Sequence, residues 1–395
     1  MKLPLLAMLL SAAALPVFAD SWDDTVSAAK GQTVYWNAWG GDARTNAFIA
    51  WVDDQVSEKY GIQVEQVKLS DTAEAVTRVV AEKAAGQDSG GSVDMIWING
   101  GNFLSMKDQG LLHGPFLADL PNSRYLDLTP GSAATVDFTI PTEGYESPWR
   151  LAKFVMTYDS ARVNQPPRSV AAMQDWAKAN PGRFTHPTVS NFMGATFLKQ
   201  ALIELSLDAS ALQSPATEAS FATVTAPLWA WYDALRPNLW RGGETFPENE
   251  SVLQQMLNDG EVDFTMAFDP AAAAAAVEQG LLPETVRSYG FEGGSIGNIS
   301  FVAIPYNAAH REGAMVVANF LLDPAVQAQA QDISILGSYS VLDTAKLGAA
   351  ELAAFAALPT SPALPSNESL GATLIEPHPS WMTMITEEWA KRYTK

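Results

Sequence analysis

Cysteine is missing altogether from this 395-residue chain. Disulfides, thiolate metal sites and a lipidated N-terminal cysteine are therefore excluded, and stability has to come from a large core. Histidine is almost as scarce. His113, His186, His310 and His378 stand far apart, without the spacing that brings two imidazoles to one zinc ion, so no metal and no cofactor is expected. Positive charge is also short, with 24 Lys and Arg against 44 Asp and Glu for a formal charge of −20. Nucleic-acid binding needs a basic face to meet phosphates, and none is visible. No GxGxxG or GxxxxGK[ST] phosphate loop occurs, no GxSxG nucleophile elbow, no adjacent tyrosines for iron capture and no solenoid-like repeat.

One apolar run is present, at the start. Lys2 supplies a positive end, Leu3 to Pro16 an apolar stretch, and Val17-Phe18-Ala19 a small-x-small cleavage site before Asp20. The run is too short to span a bilayer comfortably, and no second one of about eighteen residues follows. A cleavable signal at 1–19 and a periplasmic location are the expectation. A cysteine-free chain suits that oxidising compartment.

The rest alternates between strand and helix patterns. Gln32–Trp36 reads as a strand that breaks at Asn37. Ala43–Tyr60 reads as a helix with Phe48, Val52 and Val56 on one face, capped by Asp42 and ended by Gly61. Ile62–Leu69 alternates as a strand, Asp71 starts a helix to about Ala85, and Val93–Ile98 is a buried strand. That order makes a doubly wound α/β lobe. After a Gly- and Pro-rich excursion, Lys153–Tyr158 reads as a strand with ESPW just before it, and a second α/β pattern runs to Phe268. Ile299–Pro305 and Glu312–Leu322 bring back a strand and a helix, and Ser380–Tyr393 ends the chain as an amphipathic helix.

Two loops echo each other. Trp36-Asn37-Ala38-Trp39-Gly40-Gly41-Asp42 and Trp97-Ile98-Asn99-Gly100-Gly101-Asn102 each follow a strand with an asparagine, a glycine pair and a helix start. In open α/β sheets such loops line the ligand crevice, and glycine pairs let a ligand approach the backbone. The competing reading is that the glycines only make tight turns. Trp149, Trp240 and the Asn191-Phe192 helix start are further candidates, as is Asn298 beside the late strand. For most tryptophans packing competes with ligand stacking; Trp39 stands apart, between polar and glycine neighbours. Asp269 closes a buried strand and either caps the next helix or faces a bound cation. Carboxylates abound, so a glycosidase acid pair stays open as the alternative of another class.

Taken together, AWGGD (38–42), NGGNF (99–103), ESPW (146–149), ANPGRFTHP (179–187), LWRGGETFP (239–247), IGNISFVAIP (296–305), VANFLLDPAVQ (317–327) and the terminal EPHPSW resemble the periplasmic solute-binding proteins of ABC importers, of the YnjB type. The resemblance spans nearly the whole chain after residue 19. It implies a type II-like fold of two α/β lobes, each a mostly parallel sheet flanked by helices, joined by a two-segment hinge. Residues 20–153 with 299–335 would form lobe 1, and 154–298 with 336–395 lobe 2. A small solute would bind between them; the indole and acid candidates themselves, not the resemblance, suggest a small organic cation or zwitterion, thiamine-like or polyamine-like. The implied partners are permease subunits with an ATPase across the membrane, the chain itself acting as a monomer without catalysis. A secreted carbohydrate-binding protein or carbohydrate-active enzyme is the alternative.

Overall fold

The computed structural model describes residues 21–365 and 367–394; the expected signal at 1–19 lies outside them. The chain opens with helix α1 (Trp22–Ala29), strand β1 (Thr33–Trp39), helix α2 (Ala43–Tyr60), strand β2 (Gln63–Leu69) and helix α3 (Ala73–Ala84). Strand β3 (Met95–Ile98) and helix α4 (Gly101–Asp108) follow. Helix α2 has the expected bounds, because Asp42 accepts from the Arg44 and Thr45 amides at one end and Gly61 turns left-handed at the other. Strand β1 runs three residues beyond its expected end, pairing Asn37, Ala38 and Trp39 with Val67, Lys68 and Leu69. Asn37 does not break it. Its amide donates to the Tyr35 carbonyl, its oxygen accepts from Arg78, and the residue is wholly buried.

Next come a two-residue hairpin, β4 (Val136–Asp137) and β5 (Ile140–Pro141), then β6 (Glu146–Lys153) and β7 (Val155–Asp159). ESPW is thus the start of a strand rather than a lead-in to one. Pro148 hid it: the proline sits opposite Phe301, where the ladder to the neighbouring strand shifts register. Helices α5 (Val170–Ala179) and α6 (Phe192–Leu205) precede β8 (Phe264–Ala267), β9 (Val286–Tyr289), β10 (Ser295–Ala303) and β11 (Thr373–Leu374).

The first sheet runs β11-β10-β3-β1-β2, with β6 also paired to β10. Strands β1, β2 and β3 are parallel, and β10 lies antiparallel to β3 and β6. The second sheet is β8-β7-β9, and here the expected parallel arrangement gives way. Central β7 runs antiparallel to both neighbours. The reason is that β7 enters the second lobe directly from β6, against the direction of the strands that return from its helices.

Each lobe has its own core. One gathers Trp36, Phe48, Trp149 and Phe301; the other Phe184, Phe197, Trp231, Tyr232 and Trp381. Trp229, Trp231 and Tyr232 are buried, as their helical spacing predicts. Residues 336–395 do not stay together as expected. Leu336, Val341, Leu342 and Leu347 pack in the first core, whereas Ala363, Ile385 and Trp389 pack in the second. On that packing we place the changeover between 356 and 362.

The lobes are joined mainly by two adjacent strands. One is β6–β7 through Phe154, whose amide donates to the Ile296 carbonyl at 2.7 Å. The other is β10, with Ile296 in one core and Ile299 in the other. A third passage, between the two cores after 356 and with a short helix at Asn367–Leu370, meets them where Thr373 pairs with Ser295 and where Lys153 Nζ donates to the Gly371 carbonyl.

Candidate functional site

Strand order in the first sheet reverses at β1, with β2 on one side and β3 on the other. The loops leaving β1 and β3 therefore stand side by side at a topological switch point, where open α/β sheets hold ligands. The echo between AWGGD and NGGN thus has a spatial counterpart. The two glycine pairs do different work. A Cβ added at Gly41 would fall inside the Trp39 indole, so the bare backbone is the seat on which that ring lies. Gly100 turns at φ 57° and gives its amide to Asp137 Oδ2 at 2.5 Å. Asn99 donates to Asp137 Oδ1 and to the Ile299 carbonyl, tying the loop to the crossing strand.

Three contacts join the lobes here. Arg150 of β6 holds Asp269, just past β8, at 3.1 Å. Lys199 of α6 lies 5.0 Å from the Phe138 ring centroid of the first lobe. The nearest atom to a Cβ built at Gly101 is Cβ of Pro379, 4.0 Å away, at the start of the C-terminal helix. Trp39 is 36% exposed on one lobe and Phe192 41% exposed on the other. Trp39 rests on Gly41 beside Asp42, and Phe192 packs edge-to-face on Phe268 beside Asp269. Trp39 is thus three residues from Asp42, and Phe192 packs on the ring next to Asp269, each on its own lobe.

Three carboxylates in the cleft come matched with a base. Burial works against ionisation of Asp42, but the Thr45 hydroxyl, Arg44, the Thr45 amide and Arg150 outweigh it and hold the carboxyl below its ordinary pKa. Burial pushes Asp269 up, while Arg150 and Arg44 pull it back. Glu376 is likewise raised by burial and opposed by Lys199, its partner at 2.6 Å; both side chains are 1% exposed. Asp137 has no cation beside it, and burial raises it to about 7. Glu146, wholly buried, is raised well above its usual value by burial and by Asp137.

Of the candidates, Asp269 joins the lobes through Arg150, Asn99 ties its loop to the crossing strand, and Gly101 approaches Pro379. Trp39, Gly40, Gly41 and Asp42 form the end of β1 and the loop after it, and Phe192 stands on the opposite lobe. Asn298, on the crossing strand, approaches Glu376 Oε1 at 3.4 Å. Asn191 caps α6 through the Met193 amide, and Asn102 is half-buried in the first turn of α4. Two candidates belong elsewhere. Trp149 is 1% exposed, packed among Trp36, Phe48 and Trp97, and is a core residue. Trp240 leans on the second core under the Arg241 guanidinium, and its backbone bonds Phe184; these contacts lie within the second lobe.

Sequence reading missed Arg44, Phe138, Arg150, Lys199 and Glu376. Arg150 directly follows ESPW and Glu376 opens EPHPSW, so one lay next to and the other within a motif already singled out. Lys199 gave no signal, because a lysine in the middle of a helix ordinarily faces water.

Two α/β lobes joined by adjacent strands, with a charged and aromatic cleft between the sheet ends, define a two-lobed binding protein of the periplasmic kind. Residues 51–360 match the bacterial extracellular solute-binding protein family, and the chain belongs to it. Over 385 residues it is 40% identical to Protein YnjB of Escherichia coli strain K12, covering 98% of this chain and 97% of that one, which makes it a protein of the YnjB type. Among solved structures, the Tp0655 (TpPotD) lipoprotein of Treponema pallidum superposes with a TM-score of 0.64 at 17% identity, covering 90% of this chain and 97% of that one. The spermidine/putrescine ABC transporter substrate-binding protein PotD of Streptococcus pneumoniae gives 0.62 at 14%, covering 91% and 99%. These similarities establish the two-lobed fold.

Proposed function

We propose that this protein is the solute-binding component of an ABC importer, acting as a monomer in the periplasm and without catalysis. It captures a small cationic or zwitterionic solute, thiamine-like or polyamine-like in size, between its lobes and delivers it to a membrane permease. The observation that supports this reading is the interlobe Arg150–Asp269 pair, together with exposed aromatic rings, Trp39 and Phe192, one on each lobe. Aromatic faces attract cations by about 0.5–2 kcal/mol each, and closing one lobe on the other desolvates them. One fold neighbour, PotD of Streptococcus pneumoniae, is a spermidine/putrescine substrate-binding protein, which is consistent with this class of solute. The reading is tested by denaturing freshly purified protein and identifying the released solute by mass spectrometry, followed by calorimetry with that solute. A released small organic cation or zwitterion that rebinds supports it. Turnover of chromogenic glycosides, lost when one acid is replaced, would instead favour the carbohydrate-active alternative.

A further inference from the structure

The Arg150–Asp269 pair is unusual for a surface between two lobes that must separate. Its two side chains are only 10% and 13% exposed. Arg150 is held from every side. Nε donates to Ser338 Oγ at 3.2 Å, Nη1 to Thr45 Oγ1 at 3.3 Å, and the guanidinium lies 5.7 and 5.6 Å from the Trp97 and Trp149 ring centroids. Asp269 spends Oδ1 on the Ala271 amide and presents Oδ2 to Arg150. Both charges are therefore oriented before any solute arrives, which removes the ordering cost of recognising one.

The neighbouring charges narrow the solute further. Asp42 has Arg44 beside it, and Glu376 has Lys199. A polycation entering this cleft would find Asp42, Asp269 and Glu376 each already beside a base, and Asp137 mostly uncharged below about pH 7. To reach Asp269 it would have to displace Arg150 and then lie next to that guanidinium, a like-charge contact in a poorly solvated place. A dicarboxylate meets the mirror problem at Asp269. A molecule carrying both signs meets neither.

We infer that Arg150 and Asp269 are the paired charge readers of the cleft, a bound solute exchanging the ion pair for a carboxylate on Arg150 and an ammonium on Asp269. The solute is then a zwitterion, with Trp39 and Phe192 against its carbon skeleton. This rests on the importer reading above and narrows its solute class.

The test uses the full-length mature protein and chain-matched probes of three to six carbons: ω-amino acids such as 4-aminobutyrate, diamines such as putrescine, and dicarboxylates such as succinate. Calorimetry is expected to show an ω-amino acid binding at least about tenfold more tightly than the diamine or dicarboxylate of equal length. Arg150→Lys keeps the charge but loses the planar fork, and Asp269→Asn keeps the shape and the Ala271 cap but loses the charge. Each is expected to weaken that binding about tenfold or more while thermal unfolding stays cooperative. A diamine that binds best, or zwitterion binding indifferent to both substitutions, overturns the inference and leaves the importer reading standing. If no probe binds and no solute is released from the native protein, both fall together.

Discussion

Two tryptophans that look alike in the sequence should behave oppositely when removed. Trp149 is 1% exposed and touches Trp36 edge-on at 5.5 Å, Trp97 edge-on at 5.1 Å and Phe48 face-on at 6.4 Å. Trp149→Ala deletes a whole indole from a site that cannot collapse, because the surrounding rings are themselves fixed by β1, α2 and β3. Large-to-small losses of this kind cost about 3–5 kcal/mol. The Arg150 guanidinium also loses one of its aromatic faces. Trp39 is 36% exposed and lies on Gly41, so Trp39→Ala should cost only about 1–2 kcal/mol. Its effect belongs on binding, where losing one aromatic face of about 0.5–2 kcal/mol weakens affinity by about 2- to 30-fold. Urea unfolding followed by far-ultraviolet circular dichroism gives the first quantity, and calorimetry with the released solute the second. If Trp39→Ala proved the more destabilising of the two while affinity held, the placement of Trp39 in the cleft wall would be refuted.

Lys199→Met should destabilise by about 3–5 kcal/mol in urea unfolding, because it leaves the Glu376 carboxylate buried and unpaired; Lys199→Met with Glu376→Gln should recover most of the loss. Asp137, raised to about 7 in the folded protein, is protonated in both states below about pH 4, where its contribution is fully present. As pH rises from about 4 to 7 the unfolded chain ionises first, so wild type should lose about 2–4 kcal/mol relative to Asp137→Asn, measured as the difference between their urea stabilities at pH 4.5 and 7.5. Gly194→Ala should lower the melting temperature and the affinity together, since its Cβ would strike the Pro187 and Thr188 carbonyls where α6 presents Phe192. An unchanged melting temperature would show that this backbone can yield.

The first lobe was legible because its elements obey local rules. Asp42 and Gly61 bracket α2 with cap chemistry, and β2 reads as a strand of apolar and polar residues although its alternation changes face at Glu65–Gln66. The switch-point loops were legible too, since glycine pairs after strands have few other uses. The hinge was half hidden. Pro148 interrupted the pattern of β6, and a polar Asn37 shortened β1, because tertiary partners satisfied residues that break isolated strands. The antiparallel second sheet follows from chain direction through the hinge, which no local pattern encodes. Charged partners were the least legible part. Arg150 meets Asp269 across 119 residues and Lys199 meets Glu376 across 177. Only folding makes those acids and bases neighbours.

Strand β10 carries a mechanical consequence. Its first residues lie in one core and its last in the other, and along the crossing Gly297 and Asn298 pair with Lys153 and Ala152 of β6. Two strands bonded side by side resist being pulled lengthwise past each other, because sliding would break every rung of the ladder at once. Twisting breaks none. The lobes of this protein should therefore swing and rotate about the ladder, keeping the base of the cleft at constant width while the mouth opens. On the proposed site a solute would leave by the mouth, past Trp39 and Phe192, and the rungs at its floor should remain among the slowest amides to exchange with solvent.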